Sequence, residues 1–323
     1  MAVFLHIGAS KCGSSALQTA LTANPTIKRN DGSVIQYAEM KLKKDCIVTG
    51  KALTKSAGIY KYKASPDANE LLKADLDGIG VEMKGHPDDL LFSSEGWLFQ
   101  PEQWTTILDR LGIEVEVVIY VRPQVLVLNS AWWQWGAWSD RPFDAWMEKR
   151  LDLSMWGAWI AKWKRIPRVK NITVRPVIGD IVGDFYTHIL NATPPEIIDR
   201  PNPSLSGPLL RLFQRNRSLR PTIHASRIDF ALSDSVAMNE PSIWVMDKAW
   251  IQRVLDRTRD DINLLMSFMD KDCAQAVQDD PRWWSLSAYA DRVSESPLPQ
   301  PIPAQKLEEL CVEMANAIYK LKQ

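Results

Sequence analysis

The chain opens on an apolar run, Ala2 to Ile7, that stops at Gly8 and reads as a short buried strand. Behind the polar stretch that follows, Leu17 and Leu21 return at helical spacing, so a helix is predicted to start at Ser14 or Ser15. From Asn24 to Lys84 the sequence is polar and lysine-rich, and only Asp67 to Ala74 reads as a helix. Leu90 to Ser93 gives a second strand. PEQWTTILDRLG is an amphipathic helix opened by Pro101 and closed by Gly112. EVEVVIYVR, ending at Arg122, is β-branched and apolar and is the clearest strand. VLVLNSAWWQWGAW follows as a helix, and NITVRPV as another strand.

This alternation of strand and helix through about residue 180 predicts an α/β fold with a parallel, doubly wound sheet and helices on both faces. After Pro201 the pattern turns helical, through SGPLLRLFQRNR, DKAWIQRVLDRTRDDINLLMSFM and AQKLEELCVEMANAIYKLK. ESPLPQPIPAQ is a proline-rich connector before the last helix. No internal repeat stands out. The chain therefore reads as a single domain over residues 1–323, with an α/β core in 1–200 and a mainly helical annex in 201–323.

Composition narrows the function classes. A formal net charge of +0 over 323 residues gives no bulk attraction to nucleic acid, although 39 basic residues leave room for a local basic pocket. Cys12, Cys46, Cys273 and Cys311 form no CxxC pair, and with four histidines they argue against a zinc site and a disulfide scaffold. Reduced thiols, the lack of a basic leader and the absence of a long uncharged apolar window point to a cytoplasmic protein with no transmembrane segment. The NIT sequon at Asn171 is read as chance. The unusual figure is 14 Trp, eight of them between Trp132 and Trp163. That cluster is either dense core or a stacking surface for rings.

The stretch HIGASKCGSSALQ carries the candidate chemistry. Gly8 and Gly13 have the glycine spacing of a phosphate loop, and amides at the following helix N-terminus can converge on a phosphate. Where a nucleotide hydrolase has lysine after the second glycine, this chain has Ser14, and its lysine is Lys11. The strand EVEVVIYV ends in Arg122 where an Asp would hold Mg²⁺. HIGASKCGSSALQ resembles the 5′-phosphosulfate loop of sulfotransferases, usually close to K-[TS]-G-[ST]-[ST]. VVIYVRPQVLVLNSAW resembles that family's 3′-phosphate motif, with Arg122 and then Ser130 on a helix. LFSSEGW resembles the SSEG strand end of the bacterial branch, and NPSLSGPLLRLFQRNR and TRDDINLLMSFM echo that branch more weakly. Cys12 departs from the common Thr.

The resemblance implies a fold like that of P-loop NTPases and transfer of a sulfuryl group from 3′-phosphoadenosine-5′-phosphosulfate, which leaves as 3′,5′-adenosine bisphosphate, with no metal. It implies that Lys11 offsets charge on the bridging oxygen and that Cys12, Gly13, Ser14, Ser15 and Ala16 hold the 5′-phosphate. Arg122 would pair with the 3′-phosphate in fork geometry, and Ser130 would donate to it. A hydroxyl or amine acceptor needs a base. Glu95, just past a strand end and near Phe92, Trp97 and Phe99, is the first candidate, His86 the second and His6 the third.

The tryptophans read first as core packing, with an acceptor wall as the alternative, for which Trp97, Trp133 and Trp135 are the candidates. The segment Lys41 to Lys63 reads either as a lid over an anionic substrate or as a solvated charge run. A divergent P-loop kinase and a non-catalytic nucleotide- or carbohydrate-binding module are the competing functions. The first would need Mg²⁺, and the second predicts loss of Lys11 or the base. The partner is a small-molecule or carbohydrate acceptor, and a homo-oligomer is left open.

Overall fold

The structure, a computed structural model, describes residues 1–57, 62–196, 205–223, 225, 228, 229, 232, 236 and 242–320. Strand β1 (Val3–His6) leads into helix α1 (Ser14–Ala23). The polar stretch then forms β2 (Thr26–Lys28), β3 (Val34–Tyr37), β4 (Glu39–Lys41), β5 (Cys46–Val48) and α2 (Gly50–Lys55), followed by α3 (Ala68–Lys73) and α4 (Asp77–Gly85). Next come β6 (Asp89–Ser93), α5 (Pro101–Leu111), β7 (Val115–Val121), α6 (Gln124–Gln134), α7 (Phe143–Leu153), α8 (Trp156–Trp163) and β8 (Val169–Pro176). A short α9 (Ile181–Asp184) runs on as a π-helical turn, Phe185–Ile189. The chain closes with α10 (Gly207–Arg215), α11 (Lys248–Met266), α12 (Lys271–Asp279) and α13 (Ala304–Lys320).

The central sheet has six strands in the order β2-β3-β6-β1-β7-β8. β3, β6, β1, β7 and β8 are mutually parallel, and only the edge strand β2 is antiparallel. β4 and β5 form a separate antiparallel hairpin. The fold is thus mixed α/β, a central sheet flanked by helices with a helical C-terminal region. β1 and β7 are buried almost throughout, which is why they read as unbroken apolar runs rather than alternating ones.

Local chemistry sets most of the boundaries. Pro101 occupies the first turn of α5, and Gly112 closes it at φ 62°. Trp104, Ile107, Leu108 and Leu111 form its buried stripe. Asp67 caps α3 in a reciprocal box with Glu70. The strands β2 to β5 and the helices α2 and α4 carry no strong period of their own. Asp45 accepts from the amides of Gly78 and Ile79, and Glu82 from that of Ile47, so long-range contacts build the region. Lys41 to Lys63 is accordingly no bare charge run: it holds part of the hairpin and α2, while residues 58–61 lie outside the described residues.

The chain divides into two compact units that interleave along the sequence. The first comprises residues 1–122, 155–201 and 258–280 and holds every strand found among the described residues. The second comprises residues 123–154, 202–257 and 281–323. Within it, Trp133 donates its indole N–H to the Ile243 carbonyl at 2.7 Å, and Asn129 accepts from the Val245 amide. Arg211, 4% exposed, donates to the carbonyls of Ser296 and Leu298 and so pins the proline-rich connector beside α10. Asn202 to Ser204 of the NPSLSG stretch, and residues 321–323, are outside the described residues.

Candidate functional site

The loop between β1 and α1 is built from backbone that most residues avoid. Gly8, Lys11 and Gly13 have φ of 34°, 62° and 89°. Glycine adopts such values freely, whereas a lysine there costs about 1–3 kcal/mol. A Cβ on Gly8 would come within 2.9 Å of Ser14 Oγ and 3.1 Å of both the Ser94 carbonyl and the Glu95 Cα. A Cβ on Gly13 would meet the Ile181 side chain at 2.9 Å. Both glycines therefore serve packing as well as conformation. Gly13 also caps α1, whose first helical bond joins the Leu17 amide to the Gly13 carbonyl. The amides of Gly13, Ser14, Ser15 and Ala16 precede that bond and form the positive end of the helix.

The turn after β6 is stitched to this loop. The amides of Ser94, Gly96 and Leu98 donate to the carbonyls of His6, Gly8 and Ile7. Glu95 is thereby held against Gly8, at the carboxyl edge of the sheet. Arg122, just beyond β7, donates from Nη1 to the Lys11 carbonyl at 3.3 Å. Its own carbonyl accepts from the indole of Trp156. Burial pushes the Cys12 thiol up to about 12, with the charges of Arg122, Glu95 and Lys11 acting on it in smaller measure. The loop thus gathers two cations and one carboxylate around a thiol kept protonated. Cys12 donates its amide to the Ala9 carbonyl, so this amide is engaged within the loop.

Ser14 Oγ is buried and meets no hydrogen-bond partner among the described residues. A buried hydroxyl left unpaired costs about 1–3 kcal/mol, so its position at the helix N-terminus calls for an acceptor. An anion seated on the first turn would supply one.

Beneath the loop lies a polar layer that the sequence does not announce. His6 is buried, its Nδ1 2.8 Å from Ser93 Oγ, and Gln18 donates to the same hydroxyl at 3.0 Å. Burial lowers the His6 pKa to about 4 and keeps the ring neutral. His6 is therefore a packed strand residue and not a base.

His86 departs from expectation. It follows α4 at the start of β6, with its ring against the backbone of Asp88. β6 runs parallel to β1, so its beginning lies at the sheet edge opposite the loop. The five residues of β6 put roughly 16 Å between the two ends. The structure sets Glu95 against Gly8 of the loop and leaves His86 at the opposite edge.

Trp97 is fully buried, donates to the Pro66 carbonyl and packs edge-on to Trp104 with centroids 4.6 Å apart. Trp133 is core of the second unit. Trp135 is half-buried beneath the Arg150 guanidinium, 4.5 Å from its ring. Trp97 and Trp133 are thus buried, whereas Trp135 meets the Arg150 guanidinium. Ser130 lies half-buried on α6, in the second unit.

Sequence reasoning missed Tyr37, Glu39 and Ser65. Tyr37 donates its hydroxyl to the Lys63 carbonyl, and the Ser65 amide donates to the Ser93 carbonyl. These residues sit in a polar stretch without period, and nothing local marks them. No group of three or more His, Cys, Asp or Glu that could hold a metal occurs among the described residues, and among them no helix is long and apolar enough to cross a membrane.

No protein-family model matches the chain, and no curated protein matches it. Among solved structures, a sulfotransferase from Alicyclobacillus acidocaldarius is similar over 85% of this chain and 99% of that one, at 13% identity and a TM-score of 0.38. A likeness so remote assigns neither fold family nor chemistry, and the functional reading stands on the loop and its neighbours.

Proposed function

We propose that this chain is a sulfotransferase that moves a sulfuryl group from 3′-phosphoadenosine-5′-phosphosulfate to a hydroxyl or amine acceptor. The observation that carries the reading is the loop itself. It combines a helix N-terminus, an unpartnered buried Ser14 hydroxyl, a lysine within the loop and an arginine from the next strand bonded to that lysine's carbonyl. The flanking order β6-β1-β7 supports a P-loop-like arrangement around it. The donor substrate would supply a sulfuryl group already attached to a phosphate able to leave.

The residues present fit such a donor. Gly13, Ser14, Ser15 and Ala16 would offer amides and hydroxyls to the 5′-phosphate, and the bare Gly8 keeps the loop close to Glu95. Lys11 would offset negative charge on the bridging oxygen as the sulfur–oxygen bond breaks. Arg122 has further guanidinium donors for the 3′-phosphate. Glu95 would take the acceptor's proton as the new bond to sulfur forms, and the bisphosphate would depart with the electrons of the broken bond. With less charge on the transferred group than in phosphoryl transfer, two cations and a helix terminus suffice without a metal. The four cysteines, none disulfide-bonded, suit the reducing cytoplasm.

Thermal shift tests the donor. 3′,5′-Adenosine bisphosphate should stabilise the chain without added metal, by about 2.7 kcal/mol at a hundredfold excess over Kd. Stabilisation by ATP with Mg²⁺ alone would replace this reading with a kinase. Glu95→Gln should cut kcat on the order of 10²- to 10³-fold while the bisphosphate Kd stays within about twofold. Near-normal kcat would remove Glu95 from the role of base.

A further inference from the structure

Two buried polar atoms on the β3 side of the loop lack partners among the described residues: Glu39 Oε2 and Ser65 Oγ. Both residues are well buried, at 8% and 5% exposure. The other oxygen of Glu39 holds Lys41 Nζ at 2.7 Å, so one half of the carboxylate is committed and the other is not.

The two residues lie at the same edge of the sheet as the loop. Tyr37 pairs in register with Leu91, and His6 pairs with Ser93, so Glu39, two residues beyond Tyr37, is level with the end of β1. Burial first, and then the Glu39 charge, raises the pKa of the Tyr37 hydroxyl, which puts the carboxylate within electrostatic reach of that hydroxyl. Tyr37 in turn donates to the Lys63 carbonyl, two residues from Ser65, and Ser65 is tied by its amide to Ser93. Ser93 is two residues from Glu95. Glu39 and Ser65 thus belong to one polar group beside the candidate base.

A carboxylate only accepts hydrogen bonds, so whatever satisfies Glu39 Oε2 must bring a donor. Leaving it desolvated and unpaired is costly. An acceptor with a single hydroxyl presents that group to Glu95 for transfer and has nothing left for Glu39. We infer that Glu39 and Ser65 form an acceptor-recognising subsite, and that the acceptor carries at least two donor groups, as an amino sugar or polyol does and a simple phenol does not. This rests on the proposed sulfotransferase reading. Discrimination against the singly hydroxylated compound follows because a site built to bond a second group strands its own polar atoms when that group is missing.

Calorimetry on the full chain tests the subsite. With 3′,5′-adenosine bisphosphate saturating, glucosamine and inositol are titrated against 4-nitrophenol and 2-naphthol. At least one of the first pair should bind more than about tenfold tighter than either phenol, and Glu39→Gln should weaken it by about tenfold or more. Ser65→Ala should weaken it less, and covers the case in which the Glu39 variant does not fold. Equal or tighter binding of the phenols overturns the inference, as does glucosamine and inositol binding that neither substitution moves, which would mark ordered water as the partner of both atoms. Failure of the bisphosphate itself to bind overturns the sulfotransferase reading instead, and is read separately in the first titration.

Discussion

The phosphate-loop edge and the tryptophan-rich second unit look equally promising as sequences and differ sharply as structures. At the loop, Ser14 Oγ is buried without a partner among the described residues, and Lys11 holds a left-handed φ. In the second unit, Trp133, Trp138 and Trp244 each donate their indole N–H to a backbone carbonyl. Trp132 packs edge-on to Phe143 and Trp146, at 4.9 and 5.5 Å. Aromatic abundance there is spent on packing. Trp132 Nε1 and Gln134 Oε1 of the second unit also lack partners among the described residues, so the left-handed backbone at Gly8, Lys11 and Gly13, and not unsatisfied polarity alone, sets the loop apart.

Four substitutions or conditions press on this contrast. Trp133→Ala should cost about 3–5 kcal/mol of stability, the loss expected for a large core ring, read as a lower denaturation midpoint. A shift in acceptor KM with stability intact would return Trp133 to the ligand wall. Lys11→Met should do the reverse, lowering kcat on the order of 10³-fold, about 4 kcal/mol, with little change in melting temperature. Unaltered turnover would show that the loop's lysine has no part in the chemistry.

The next effect is a pH dependence. The unfolded chain protonates His6 below its ordinary 6.5, whereas the folded chain refuses the proton until about 4. The His6 contribution is whole above pH 6.5 and is lost as pH falls to about 4, a change of about 3 kcal/mol read as the slope of unfolding free energy against pH. His6→Gln should flatten that slope, and an unchanged slope would assign it to other groups. Smallest is Gly8→Ala. It brings a Cβ to 3.1 Å from the Ser94 carbonyl at a positive φ and should cost about 2 kcal/mol, with weaker bisphosphate binding. Full affinity in this variant would mean that the Gly8 approach to Glu95 is not needed.

Much of this was legible in one dimension. β7, α5, α3 and the β1–loop–α1 unit follow from near-neighbour patterns, since burial, capping and left-handed glycines act within a few residues. β2 to β5 were not, because their partners are remote and their own side chains are polar. Ser14 could be named as a phosphate ligand, but not as a buried hydroxyl without a partner. Glu95 and His86 looked like rivals only nine residues apart in sequence. A strand between them was enough to separate them, because a parallel strand carries its two ends to opposite edges of the sheet.

The sequence by itself determined a phosphate-type loop with a displaced lysine, an arginine closing the next strand and a carboxylate after another. Each is a local statement, set by residue type and spacing. Only the tertiary structure decided that β6 lies beside β1, so that Glu95 backs onto Gly8 while Arg122 reaches the Lys11 carbonyl. It also decided that Trp97 and Trp133 pack inward and that the Ser65 amide is tied to Ser93. Those outcomes depend on strand register and on burial summed over the whole chain, and neither quantity is carried by any short stretch of it.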